Sequence, residues 1–124
     1  GILPQTDKKF TFKGKRFSER HKILKDAEML ESAGIFSVVL ECVETKLAKM
    51  ISSKLKIPTI GIGSSNNCDG QVLVIDDLIG LNNSNFRFVK KYANINRVIK
   101  KAVKRYKFDV SKKLFPKVKH SFNN

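Results

Sequence analysis

Cysteine and histidine are both scarce in this chain, two of each in 124 residues. Cys42 and Cys68 have no CxxC spacing and make no secreted disulfide framework, so reduced thiols, buried or half-buried, are expected. His21 and His120 stand far apart with no HExxH pattern, and no metal site can be assembled from local motifs. No apolar run approaches a membrane span, and no charged-then-apolar leader precedes a cleavage site. The expectation is a cytoplasmic protein with no membrane partner. Acids are the other shortage: 11 Asp and Glu against 25 Lys and Arg leave a net charge of +14. Such a field attracts polyanions. Yet no aromatics interleave with the basic residues as base stacking requires, and zinc-finger spacing and an RNP-like strand are absent. Charge alone supplies only non-specific attraction, so specific nucleic-acid binding is not expected. Lys far exceeds Arg, and Asn and Ile are common, a balance that AT-rich codons produce without any polyanion partner.

What the chain does have is periodicity. Ile23, Leu24, Ala27, Leu30 and Ala33 recur at helical spacing and predict a helix over about 18–33, with Ser18 as N-cap and Gly34 as the stop. The apolar run that follows, ending Val38-Val39-Leu40-Glu41, predicts a buried strand over about 35–41. Leu47, Ala48, Met50, Ile51 and Leu55 predict a second helix, about 44–55, ended by Pro58. A second strand is expected over about 58–63. A polar loop from Ser64 to Gly70 leads into a third, about 71–75, closed by Asp76 and Asp77. A long helix, about 88–110, carries the stripe Ile95, Val98, Ile99, Ala102, Val103, Tyr106 and Val110, with Lys and Arg opposite. Residues 1–17 read as a loop, and the tail to Asn124 has little pattern. This alternation is an α/β plan with parallel strands and right-handed crossovers, in a single domain without internal repeats.

The end of a buried strand is where α/β proteins place catalytic groups. Glu41 sits there, and two readings stand side by side: general base, or first polar residue of a loop. Gly61-Ile62-Gly63 is followed by Ser64-Ser65-Asn66, so it is not GxGxxG; a phosphate loop and a plain tight turn both fit. Asp69 is a turn residue unless it faces the same lip as Glu41, and Asp76 and Asp77 end a strand that points to that rim. The basic face of the last helix is most simply a solvated surface.

Several segments appear together in a familiar order: Gly1-Ile2-Leu3-Pro4-Gln5, Val39-Leu40-Glu41-Cys42-Val43, Ile57-Pro58-Thr59-Ile60-Gly61-Ile62-Gly63, Asp69-Gly70-Gln71-Val72-Leu73-Val74 and His120-Ser121-Phe122. They resemble the C-terminal half of the ketopantoate hydroxymethyltransferases, along nearly the whole chain. The resemblance implies part of a (β/α)₈ TIM barrel of the phosphoenolpyruvate/pyruvate type. It further implies Mg²⁺, and 5,10-methylenetetrahydrofolate as the donor of a one-carbon unit to 3-methyl-2-oxobutanoate. The family's base lies in the ECV segment and carries over to Glu41; Gly61, Gly63 and Asp69 fall in loops on the substrate or folate side. A homo-oligomer is implied as well.

The chain also departs from the family. Leu3 stands where Thr precedes Pro-Gln, and the glycine-rich loop is altered around Phe12-Lys13-Gly14-Lys15-Arg16. Glu44 replaces a proline, Ser64 and Ser65 replace alanine and glycine, and Asp76 replaces a histidine. The family's metal-binding aspartates and its lysine for the substrate carboxylate belong to the first half of the barrel, so no metal ligand is expected here. A complete barrel needs about 250 residues. The expectation is that the chain works only with the N-terminal half of the barrel, in cis or in trans. The competing readings are an inactive remnant of a split or decayed gene and a basic nucleic-acid-binding module.

Overall fold

Leu47, Ala48 and Ile51 recur at helical spacing and are 0–1% exposed, and the fold of the first half of the chain is built around them. The structure, a computed structural model, describes residues 12–83 and 85–122. The Gly1-Ile2-Leu3-Pro4-Gln5 segment lies outside them. The chain groups into two compact units, one running to Leu73 and taking in Phe86–Phe88, the other holding Val74–Asn85 and the chain from Val89.

In the first unit, helix α1 (Phe17–Ser32) buries Ala27, with Ile23 and Leu24 packed on the core; Met29 and Leu30 are exposed. Ser18 is not its cap. The helix starts one residue earlier, at Phe17, and no side chain caps it. Instead the Glu19 carboxylate accepts the Gly14 N–H at 2.9 Å. Its C-terminus is a Schellman turn: Gly34, at φ +85°, donates to Glu31 O and Ile35 donates to Leu30 O. The chain then enters β1 (Val38–Glu41), shorter than the predicted 35–41 because the ladder begins only where Val38 N–H meets Pro58 O.

Helix α2 (Thr45–Lys54) lays Leu47, Ala48 and Ile51 into the core with Leu40, Val43, Leu55 and Cys68. Truncating a fully buried residue such as Ile51 to Ala removes about 2–5 kcal/mol. Its N-cap is Glu44, whose carboxylate accepts from Lys46 N–H and Leu47 N–H and pairs with Arg20 at 2.9 Å. Strand β2 (Thr59–Ile62) runs parallel to β1, with Val38 beside Thr59 and Glu41 beside Ile62.

The third strand differs from the expectation over 71–75. Only β3 (Gly70–Gln71) pairs with β2, in parallel, and among the described residues the sheet order is β1-β2-β3. The apolar run beyond it leaves the sheet, and Val74 becomes the N-cap of a one-turn helix, α3 (Ile75–Leu78). Asp76 and Asp77 therefore lie in that helix, in the second unit, and not at a strand end.

The second unit also carries α4 (Ile95–Ser111). The predicted start near residue 88 is corrected to Ile95, because Asn94 Oδ1 accepts the Arg97 N–H and caps the helix there. None of its residues is buried, and Val98, Val103 and Tyr106 are all more than half exposed. Tyr106 of α4 and Phe115 beyond it meet edge to face, and a short 3₁₀ turn spans Val118–His120.

Candidate active site

Successive residues of a strand face opposite sides of its sheet. Leu40, 4% exposed, faces the helices; Val39, 54% exposed, and Glu41 face the other way. The register sets Ile60 and Ile62 beside them on that same face. Glu41 is thus the last residue of β1, half-buried, on an apolar face that the helices of this unit do not cover. Its carboxylate has no hydrogen-bond partner among the described residues.

The backbone just beyond Glu41 is unusual. Cys42 adopts φ +51°, a conformation that residues with a Cβ enter at a cost of about 1–2 kcal/mol. It is held there from both sides: Cys42 N–H donates to Ile62 O at 2.9 Å, and Cys42 O accepts from Lys13 N–H at 2.7 Å. Burial pushes the Cys42 thiol above its ordinary range, and the negative charge of Glu41 adds to the rise. The next residue is fastened by Ser64, whose Oγ accepts the Val43 N–H at 3.0 Å and lies 3.3 Å from Val43 O as its donor. One hydroxyl therefore ties the segment after Glu41 to the segment after Gly63.

Gly63 stands at the same end of the sheet as Glu41. Its φ is +62°, and a Cβ there would lie 2.8 Å from Cγ of Phe88. Gly61 is elsewhere: it is buried within β2, on the helix-facing side, with the Gln71 carboxamide lying over it. That carboxamide donates to Ser65 O at 2.8 Å. Gly61 is a packing position beneath a side chain.

Asp69 is not brought to the Glu41 end. Its Oδ2 accepts from Thr59 N–H and Thr59 Oγ1, at the first residue of β2. Those two bonds, the backbone one foremost, hold its carboxyl below the usual carboxylate range. Glu41 and Gly63 share one end of the sheet, and Asp69 fastens the other. Ser64 and Cys42 shape this end of the sheet without a local sequence signal, since one acts across two loops and the other through a backbone angle. Among the described residues no three His, Cys, Asp or Glu side chains gather so as to hold a metal ion.

The described residues form a parallel α/β sheet with helices on one face, the α/β class of protein, and a carboxylate stands at the C-terminal end of its first strand. More narrowly, the chain belongs to the ketopantoate hydroxymethyltransferase family, whose model matches residues 1–118. Over 98% of its length it is 57% identical to the 3-methyl-2-oxobutanoate hydroxymethyltransferase of Pelagibacter ubique (strain HTCC1062), covering 48% of that protein. Proteins of the same name from Clostridioides difficile (strain 630) and Syntrophus aciditrophicus (strain SB) are 42% and 46% identical, over 99% and 98% of this chain and 46% of each relative. The chain spans about half the length of the curated relatives it matches. No helix among the described residues is long and apolar enough to cross a membrane.

Proposed function

We propose that this chain forms the C-terminal half of a 3-methyl-2-oxobutanoate hydroxymethyltransferase. With the N-terminal half it would make one (β/α)₈ barrel of the phosphoenolpyruvate/pyruvate type. The reaction is transfer of a hydroxymethyl group from 5,10-methylenetetrahydrofolate to 3-methyl-2-oxobutanoate, giving ketopantoate. The observation that carries this reading is the position of Glu41 at the end of β1, on the face turned away from α1 and α2.

In this reading a Glu41 oxygen accepts the proton from C3 of the keto acid. The electron pair left at C3 then forms the bond to the one-carbon unit as the bonds of that carbon to the folate nitrogens break; water supplies the hydroxyl oxygen of the product, and tetrahydrofolate leaves. Proton removal by a positioned carboxylate contributes about 10²–10⁴-fold. Val39, Ile60 and Ile62 share the sheet face of Glu41 and would give it an apolar floor once the rest of the barrel covers that face. Gly63, at the same end, leaves room for the Phe88 ring to lie against the neighbouring loop. The described residues do not themselves make a Mg²⁺ site; the reading assigns Mg²⁺ and recognition of the substrate carboxylate to the other half. By the same family resemblance the assembled enzyme is taken to be a cytoplasmic homo-oligomer.

The test is reconstitution. Both halves, produced separately and shown to be folded by circular dichroism, are mixed with Mg²⁺, keto acid and the folate donor, and ketopantoate is measured. Product is expected, and Glu41→Gln should lower its rate by about 10²–10⁴-fold with no change in the assembly. Folded halves that associate yet form no product would overturn the proposal.

A further inference from the structure

The second unit carries a charge imbalance of its own. From Val89 to the end of the chain, 12 Lys and Arg stand against one acid, Asp109. On α4 the apolar stripe takes one side, and Arg97, Lys100, Lys101 and Lys104 take the other. Residues three and four apart are neighbours on a helix, so these four make four like-charged pairs, each unfavourable to the helix. Among the described residues none of them forms an ion pair.

The four cations border an open concavity of about 560 Å³, whose remaining lining is Asn83, Asn94 and Asn96. Among the described residues no carboxylate lines it. On the helix side Asn96 is fixed: its Nδ2 donates to Leu81 O at 2.8 Å, and Leu81 N–H donates to Asp76 O at 2.8 Å. Asn94 Oδ1 is occupied by the Arg97 N–H, which fixes the first turn of the helix. Four exposed cations with no ion pair among the described residues border this one hollow.

We infer that this concavity binds a compact oligophosphate, the di- or triphosphate group of a small molecule. The ligand class follows from charge and length. The seven steps of helix from Arg97 to Lys104 rise about 10 Å, which suits two or three linked phosphates better than a long polymer. The volume falls in the range of small-molecule sites, about 300–1,000 Å³. Arg97 supplies a planar fork for phosphate oxygens, and the lysines supply point charges. The inference does not depend on the role of Glu41.

The experiment titrates the 124-residue chain with tripolyphosphate at fixed ionic strength by calorimetry, with inorganic phosphate and a single-stranded oligonucleotide as further arms. Saturable one-to-one binding of tripolyphosphate is expected, at least about tenfold tighter than inorganic phosphate. Lys100→Gln with Lys104→Gln should weaken it by about tenfold or more. The same charge loss placed elsewhere, Lys117→Gln with Lys119→Gln, should leave it within about twofold. These four lysines are exposed, and circular dichroism confirms that each variant keeps its helix content. Equal weakening by both pairs would show diffuse attraction by net charge and overturn the site, as would failure of tripolyphosphate to saturate. Tighter binding of the oligonucleotide, with a salt dependence reporting several phosphates, would make the face a polymer-binding surface and also overturn it.

Discussion

Asp69 fastens the start of β2 from ten residues away, its Oδ2 accepting the Thr59 N–H at 2.8 Å and the Thr59 hydroxyl at 2.9 Å. Thr59 is fully buried, and its hydroxyl also meets Ser52 Oγ of α2 at 2.8 Å. One side chain thereby joins the sheet, the helix layer and the loop that enters β3.

Thr59→Val keeps the shape and deletes the hydroxyl. Ser52 then loses its partner and Asp69 loses one of its two donors from Thr59. Unfolding by urea should show a loss of about 1–3 kcal/mol. A change within error would mean that water replaces the hydroxyl at no cost.

Acid should unfold the first unit in a defined window. The carboxyls of Asp69 and Glu44 both lie below their ordinary values of 3.8 and 4.5, Asp69 chiefly through the Thr59 N–H and Glu44 chiefly through the Lys46 N–H. The ionised form is thus bound more favourably in the folded state than in the unfolded one. The stability they contribute is complete above those ordinary values and is lost as pH falls through the lowered folded ones. The urea midpoint, followed from about pH 6 to about pH 2, should fall in that lower range. Asp69→Asn with Glu44→Gln should flatten the fall; an unchanged slope would assign it to other groups.

Two glycines separate conformation from space. Gly34 at φ +85° has nothing near its missing Cβ, so Gly34→Ala should cost only the left-handed conformation, about 1–2 kcal/mol. Gly63 at φ +62° faces the Phe88 ring as well, so Gly63→Ala should cost measurably more. Adding Phe88→Ala should recover the excess in a double-mutant cycle. Equal costs for the two glycines, measured in urea, would show that the ring yields freely.

Cys42 should react slowly with iodoacetamide, because the thiolate is the attacking form and burial disfavours it. Removing the adjacent charge with Glu41→Gln should lower the Cys42 pKa and speed alkylation at about pH 8. No acceleration, with the fold unchanged, would mean that the two groups do not sense one another.

Much of this fold was legible because the residues that bury together repeat at a regular spacing. Leu47, Ala48 and Ile51 located α2, and the run into Leu40 located β1 and with it the position of Glu41. Gly34 marked the end of α1 because a left-handed turn favours glycine. The run Val72–Ile75 misled, since β-branched residues signal burial without naming a partner; the ladder stops at Gln71 and the next residues start α3. The start of α4 was hidden because Asn94, its cap, sits inside a pattern that already looked helical. Asp69 was illegible as a fastener: Thr59 becomes its neighbour only once β2 and β3 lie side by side. Ser64 was illegible for the same reason, reaching Val43 across 21 residues.

The link between β2 and β3 is seven residues, Gly63–Asp69, with no helix in it, whereas parallel strands ordinarily need a connection of about a dozen or more. A short link costs less entropy to close than a long one. Ile60 and Gly70 are ten residues apart, while Val38 and Thr59 are more than twice that, with α2 between them. Closing the shorter link costs about 0.6 kcal/mol less. The end of the sheet opposite Glu41 is thus held by a short local link and by Asp69, while the Glu41 end depends on a connection that runs through α2.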